Sequence, residues 1–252
     1  MSPILVNLIG LGLVLLSALL MVILRATNQK QPLRGLRSIP AFDHIREGIG
    51  QAVEEGSRLH ISLGNASPNS QQAASALVGL STLERITQLS AASDRPPIAT
   101  SGDGGLAILS QGNPHGVLTS GDSAGAREPA RGRLSGPTPF SYVAGTLPVL
   151  LDEEISTNLF LGNFGPEIAL LADTAEEENT FTLAGSDSLP AQAALYATAR
   201  EPLIGEELFA SGAYLQSNPM HPASLRVQDV LRVLIILGIL VGVMLNFLNI
   251  SL

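Results

Sequence analysis

The sequence predicts an α/β fold: a Rossmann-like, mostly parallel sheet with flanking helices, placed between an N-terminal and a C-terminal transmembrane helix. Two observations predict it. Long apolar segments stand at both ends of the 252-residue chain. Between them, short apolar runs alternate with helical patterns of about 10 to 20 residues, which is the strand-helix-strand rhythm of parallel sheets.

The two terminal segments have the length of membrane-spanning helices. Residues 4–24 (ILVNLIGLGLVLLSALLMVIL) carry no charge, and residues 230–250 carry only Arg232. At about 1.5 Å per residue, either segment spans the roughly 30 Å hydrocarbon core of a bilayer. We therefore predict an N-terminal anchor over residues 1–25 and a C-terminal transmembrane helix over residues 230–252. A cleaved signal peptide is the alternative for the first segment.

Basic residues predict the orientation of the chain. Arg25 is followed by Lys30, Arg34 and Arg37 in a basic linker over residues 26–40, and no basic residue precedes the first apolar segment. The positive-inside rule then places the central region in the cytoplasm and both termini outside. The sequence thus predicts a two-pass protein of the cell (inner) membrane.

The central region, residues 41–229, is strongly acidic. All 22 Asp and Glu residues lie there, with only 9 of the 14 Lys and Arg residues. The field of this region should repel anionic headgroups and nucleic acid. The predicted partners are therefore the lipid bilayer and other membrane proteins or further copies of this chain, and no nucleic acid.

Apolar periodicity predicts the order of elements in the central region. A short amphipathic helix ends at Gly56, and strands follow at residues 58–63, 97–100, 157–162 and 180–185. Helical patterns cover residues 70–90, 139–151, 166–178 and about 190–214. Residues 112–137, rich in Gly, Pro and Arg, predict long loops with marginal strands at 117–120 and 133–135.

Most of the predicted strands end in Gly beside a small polar residue. In a parallel sheet such turns meet along the carboxyl edge, where open α/β folds bind their ligands. The candidate ligand-binding residues are Gly64, Asn65, Ser101, Gly102, Asp103, Gly162, Asn163 and Gly185. The alternative is that these residues only allow each strand to turn and cap the following helix.

One of these turns has the spacing of a dinucleotide-binding fingerprint, Gly102-x-Gly104-x-x-Ala107. A genuine fingerprint needs a helix, a second strand and an acidic residue about 20 positions on. Residues 117–120 and Asp122 match the last two requirements, but the predicted helix is short and Asp103 is an unsuitable neighbour for a pyrophosphate. A chance match is therefore the favoured interpretation.

The chain lacks the residues of several enzyme classes. Its only lysine, Lys30, lies outside the acidic region, so a P-loop lysine and a Schiff-base lysine are absent there. Neither H-E-x-x-H nor G-x-S-x-G occurs, and the four histidines are widely spaced. We predict no catalytic residues, no cofactor and no metal site, and we expect His60 to be a hydrogen-bonded core or edge residue.

Gly238 and Gly242 in the second apolar segment form a small-xxx-small spacing that permits close helix packing. The partner helix is the first anchor, another copy of the chain or a different protein.

Two stretches carry a resemblance to a known family: LHISLG at residues 59–64 and PLIGEELFASGAYL at residues 202–215. With the two apolar ends, they resemble the DUF6754 domain proteins, an uncharacterised bacterial membrane protein family. The resemblance implies architecture and membrane placement. Because the family has no established activity, it implies no catalytic residues.

Two functional hypotheses follow. The first is a membrane-anchored, non-enzymatic scaffold or assembly subunit with a cytoplasmic α/β domain. The second is a domain that senses a small ligand or nucleotide at the Gly-rich carboxyl edge of its sheet.

Overall fold

The structure is a computed structural model that describes residues 3–27, 36–111, 131–215 and 220–247. It divides into two compact units. The larger unit is Ser38–Ser217, and the smaller combines Met1–Arg37 with Asn218–Leu252.

Helices and strands alternate through the larger unit. The described residues form nine helices and six strands, in the order α1 (Pro3–Thr27), α2 (Pro40–Glu55), β1 (Arg58–Gly64), α3 (Ala73–Leu89), β2 (Ile98–Ser101), α4 (Gly104–Gln111), β3 (Arg131–Leu134), α5 (Pro139–Asp152), β4 (Ile155–Asn163), α6 (Ile168–Glu177), β5 (Phe181–Ser186), α7 (Leu189–Thr198), β6 (Glu201–Leu203), α8 (Glu207–Tyr214) and α9 (Met220–Phe247).

The six strands form one parallel sheet in the order β3-β2-β1-β4-β5-β6. This confirms the predicted α/β class and parallel sheet. The order is that of the doubly wound fold, in which the direction of winding reverses between β1 and β4. His60 of β1 lies opposite Ile98 of β2 and Asn158 of β4 at this centre.

Each face of the sheet is covered by helices. Helices α5, α6 and α7 pack on one face, around a core that includes Tyr142, Phe160, Phe164, Leu171 and Leu195. Helices α2, α3, α4 and α8 cover the other face. Side chains alternate between the faces along each strand, so helices on both faces bury nearly every position of β1, β2, β4 and β5.

The structure corrects the prediction for residues 190–214. This stretch is not one largely helical segment, because β6 separates α7 from α8. Pro202 lies in the middle of β6 and has no N–H to donate. Proline is tolerated there because β6 is the edge strand of the sheet.

The predicted loop region is described only in part. Its end forms β3, which begins two residues before the marginal strand predicted at 133–135. The other marginal strand, at residues 117–120, and Asp122 lie outside the described residues.

The smaller unit contains the two terminal helices, which contact each other. Among the described residues, Met220–Met244 is the one helix that is long and apolar enough to cross a membrane. The described apolar part of α1, Gly10–Ala26, is shorter. A second crossing by α1, and with it the two-pass topology, stays a prediction.

The predicted packing role of Gly238 and Gly242 also stays a prediction. Within the described residues, no atom lies within 4 Å of the position that a Cβ would take at either glycine. Helix α9 also begins at Met220, before the predicted boundary at residue 230.

Two helical glycines should respond oppositely to alanine. Gly50 is exposed on α2, and apart from the adjoining backbone of α2 itself no described atom lies within 4 Å of the position that a Cβ would take there. A Cβ at Gly79 of α3 would lie 2.6 Å from the Leu161 carbonyl oxygen. We expect Gly50→Ala to raise the free energy of unfolding by about 0.5–1 kcal/mol. Gly79→Ala should lower it by about 1–3 kcal/mol through overpacking.

Thermal unfolding of the full chain in detergent checks both values. An unchanged or higher unfolding midpoint for Gly79→Ala would contradict the close approach of α3 to the sheet.

Candidate functional site

The structure brings the predicted ligand-binding residues to one edge of the sheet. They follow or end four adjacent strands in the order β2, β1, β4 and β5. The residues are Ser101, Gly102 and Asp103 at and after the end of β2, Gly64 and Asn65 at and after the end of β1, Gly162 and Asn163 at the end of β4, and Gly185 near the end of β5.

At the centre of this edge the glycines allow two backbones to approach each other. Gly64 has a left-handed backbone with a φ of 76°, and a Cβ there would collide with the backbone of Asn163. A Cβ at Gly162 would collide with the Leu63 carbonyl group. The N–H of Asn65 donates to the Asn163 carbonyl oxygen at 2.9 Å. Gly64 and Gly162 therefore allow the ends of β1 and β4 to approach each other closely.

The turn with the fingerprint spacing caps its own helix. An Asp103 carboxylate oxygen accepts a hydrogen bond of 3.0 Å from the N–H of Leu106 in the first turn of α4. A pyrophosphate would occupy this helix N-terminus in a dinucleotide-binding fold. A Cβ at Gly102 would overlap the Asn65 side chain. The turn also follows β2, whereas the fingerprint of the doubly wound fold follows the first strand.

The remaining turns of the edge are also bonded among themselves. The Asn163 side-chain amide donates to an Asp187 carboxylate oxygen at 2.6 Å. The Ser186 hydroxyl oxygen accepts the N–H of Phe164 at 3.1 Å and the N–H of Ser188 at 3.2 Å. Gly185 is buried, and a Cβ there would lie 3.0 Å from the Cβ of Leu203. Asn163 therefore stabilises the turns at this edge and Gly185 packs in the core, as the alternative interpretation of the Gly-rich strand ends expects.

The charge of this edge has one sign. The six described turns that lead from a strand into a helix are residues 65–72, 102–103, 135–138, 164–167, 187–188 and 204–206, and none of them contains Lys, Arg or His. Four carboxylates lie in them, those of Asp103, Glu167, Asp187 and Glu206. A phosphate would find no basic side chain in these turns, and it would meet like charge. Counting charge turn by turn along the sequence could have revealed this.

Two further carboxyl groups near the helix starts, besides that of Asp103, bond backbone N–H groups. Glu167 accepts from the N–H of Gly165 at 3.0 Å, and Glu207 accepts from the N–H of Ile204 at 3.1 Å. Carboxylates at helix N-termini are favoured by the helix dipole. At the starts of α4, α6 and α8, backbone N–H groups that could bind an anion are therefore engaged with the chain's own carboxylates.

Large apolar side chains are exposed along the same edge. Phe140 is the second residue of α5 and has 74% of its surface exposed, and Leu189 is the first residue of α7 and has 76% exposed. Leu170 in the first turn of α6 is half exposed, and α6 contacts both α5 and α7. We call Phe140, Leu170 and Leu189 the apolar rim. Periodicity predicted the helices, but it does not show which apolar residues another element covers.

His60 lies in a buried polar network on the α5 side of the sheet. Its Nδ1 is 2.9 Å from the Asn158 side-chain oxygen, and its Nε2 is 2.9 Å from the Thr100 hydroxyl oxygen. The Thr100 hydroxyl also bonds the Tyr142 hydroxyl at 3.2 Å, and Tyr142 bonds Ser62. All five residues are fully buried. The prediction of a hydrogen-bonded core histidine is confirmed.

The network holds both rings in their uncharged forms. Nδ1 of His60 donates to Asn158, so Nε2 accepts from the Thr100 hydroxyl and carries no proton. Burial, only partly offset by the bond to Asn158, lowers the pKa of His60 from 6.5 to about 4. Burial likewise raises the pKa of the Tyr142 hydroxyl. Because these groups are closed to solvent, they hold the core together by hydrogen bonds and do not form an accessible site.

The described residues contain no group of three or more His, Asp or Glu side chains that could hold a metal ion. His44 is far from His60 in the fold: its Nδ1 bonds a Glu201 carboxylate oxygen at 2.6 Å at the start of β6, on the amino-terminal side of the sheet.

A family model described as "Domain of unknown function (DUF6754)" matches residues 4–252. No curated protein and no solved structure matches the chain.

The pKa of His60 predicts a specific pH dependence. The unfolded state binds a proton below about pH 6.5 and the folded state only below about pH 4, so His60 destabilises the fold as the pH falls between these values. The full effect corresponds to about 3 kcal/mol. Histidine-labelled full-length protein, followed by NMR, should show a neutral His60 ring at pH 5. Protonation with a midpoint at or above pH 6.5 would contradict its burial.

The cap at α4 predicts a second effect. Asp103→Ala should lower the free energy of unfolding by about 0.5–2 kcal/mol, because it removes the acceptor for the Leu106 N–H. The matched control is Asp173→Ala on the exposed side of α6, which should change stability by less than about 0.5 kcal/mol. Equal unfolding midpoints for the two variants would show that Asp103 does not cap the helix.

Proposed function

We propose, from the premise that this chain belongs to the DUF6754 family, that it is a non-enzymatic scaffold or assembly subunit of a membrane. In this proposal the α/β unit lies in the cytoplasm, and the carboxyl edge of its sheet is the contact surface for a partner protein. The partner is another membrane protein or a further copy of the chain. The observation that carries the proposal is the apolar rim beside acidic, self-bonded turns.

The apolar rim supplies the driving force for contact. Phe140 and Leu189 are about three-quarters exposed at the starts of two helices on the same face. Burying a large apolar side chain contributes about 1.5–3 kcal/mol. Exposed apolar groups rimmed by polar ones are typical of protein interaction sites.

The carboxylates beside the apolar rim indicate which kind of partner surface would fit this edge. The turns carry Asp103, Glu167, Asp187 and Glu206 and no basic residue. Complementary charge steers association and suppresses wrong partners. The surface that fits this edge is therefore basic and partly apolar.

Helix α9 supports attachment to a membrane. It is apolar over Met220–Met244, and only 6% of its most apolar stretch is buried. Lipid or further helices would cover this surface. The basic residues between Arg25 and Arg37 support a cytoplasmic central unit with both termini outside, because basic residues flank the cytoplasmic ends of membrane helices.

A small-ligand sensor is the second candidate. The Asn65 side-chain oxygen, beside the point where the winding reverses, is buried and has no hydrogen-bond partner among the described residues. It favours a ligand that donates hydrogen bonds, and the acidic turns disfavour nucleotides. A ligand at 100 times its Kd adds about 2.7 kcal/mol of stability, so a thermal-shift screen with amines, amides and nucleotides separates this candidate from the scaffold.

The scaffold proposal predicts association of the full chain. Extracted in mild detergent, it should have a mass above that of one chain or should retain a partner on gentle affinity purification. A strictly monomeric chain that recovers no partner contradicts the proposal.

Variants locate the contact surface. Phe140→Ser combined with Leu189→Ser should weaken association by about 100-fold or more, as two buried apolar side chains are lost. The matched control, Leu151→Ser with Tyr196→Ser, changes exposed residues near the opposite ends of the same two helices. The control should associate like the natural chain, and equal loss in both pairs would rule out the carboxyl edge as the surface.

A further inference from the structure

A concave site lies at the opposite, amino-terminal edge of the sheet. The first residues of β4, β5 and β6 and one side of α2 enclose a cleft of about 460 Å³. This volume falls within the range of about 300–1,000 Å³ that is typical of small-molecule sites. All of its lining residues belong to the larger unit.

A threonine hydroxyl lies in the wall of the cleft. Thr157 is 1% exposed, and its hydroxyl has no hydrogen-bond partner within the described parts of the chain. Gly48 of α2 faces it, and even a Cβ there would lie 3.2 Å from the Thr157 hydroxyl oxygen. Because Thr157 lines the cleft and its oxygen is not among the fully buried atoms, a ligand group that donates a hydrogen bond can reach this oxygen from the cleft.

The charges around the cleft are mostly negative. Glu47 and Glu55 line it from α2, and Glu201 lines it from β6. Arg200 is the one basic lining residue besides His44, and the three carboxylates together with Arg200 carry a formal net charge of −2. Helix α2 ends at Glu55, and the negative end of its dipole adds to this field.

Two of these carboxylates have no ion-pair partner. Glu201 bonds His44 at 2.6 Å, but neither Glu47 nor Glu55 pairs with a basic side chain in the parts of the chain that the structure describes. Residues 47 and 55 are eight positions apart, which is about 12 Å along a helix. Phe181 lies between the strands and α2 and gives the cleft an apolar wall.

We propose that this cleft binds a linear aliphatic diamine. Its two ammonium groups balance the net charge of −2, one near Glu47 and Glu201 and the other near Glu55. Its methylene chain lies against Phe181, and an ammonium group or its bound water donates to the Thr157 hydroxyl oxygen. This site is separate from the contact surface at the carboxyl edge and does not depend on it.

Calorimetric titration of the full chain in non-ionic detergent with 1,5-diaminopentane tests the proposal. We expect saturable one-site binding, at least tenfold weaker binding of 1-aminopentane, and no competition from Mg²⁺ at equal concentration. Failure of the diamine to bind, or equal binding of Mg²⁺ or the monoamine, overturns the proposal.

Variants distinguish diamine binding in the cleft from diamine binding that depends only on the overall negative charge of the chain. Glu47→Gln with Glu55→Gln should weaken diamine binding at least tenfold, and Thr157→Val should weaken it severalfold. The matched control is Glu177→Gln with Glu178→Gln, two exposed carboxylates at the end of α6 that do not line the cleft. Equal weakening by the control pair would show that diamine binding follows overall charge and would contradict the site.

Discussion

The parallel pairing of β1 with β4 joins the two halves of the sheet, and the positions of both edges depend on it. The paired strands are far apart in sequence and run together from Arg58 opposite Ile155 to Gly64 opposite Asn163. Side chains at Gly64 or Gly162 would separate the backbones at the end of this pairing. A slip of one residue would exchange the polar face of β1, which bears His60, with its apolar face. The buried network across β2, β1 and β4 therefore also fixes this register.

Parallel winding gives the two edges different chemistry. Helices begin at the carboxyl edge, where carboxylates are favoured by the helix dipole and engage backbone N–H groups. Helices end at the amino-terminal edge, where Glu55 and the acidic run 176–178 oppose the dipole. The first edge has self-bonded turns and exposed apolar side chains, which suit a protein partner. The second has a cleft in which Glu47 and Glu55 form no ion pair within the described residues, which suits a small cation.

The strand ends were predictable because Gly beside a small polar residue follows most of the short apolar runs. The same local pattern could not show that Gly185 packs against Leu203 or that Asp103 caps α4, since these depend on which elements become neighbours. Edge strand β6 was missed because Pro202 and its few residues give no alternating pattern. The cleft could not be predicted from the sequence, because Thr157 and the carboxylates of α2 line one cleft only after β1 and β4 have paired.

Above all, we propose that the carboxyl edge of the sheet contacts a protein partner. Hydrogen–deuterium exchange of the full chain tests it most directly, compared between native membrane vesicles and detergent-purified protein that has been dissociated to single chains. We expect slower amide exchange in the vesicles at residues 135–141 and 186–190, with little change at residues 151–154 and 196–200 near the opposite ends of the same helices. Equal exchange in the two preparations at residues 135–141 and 186–190 would contradict it.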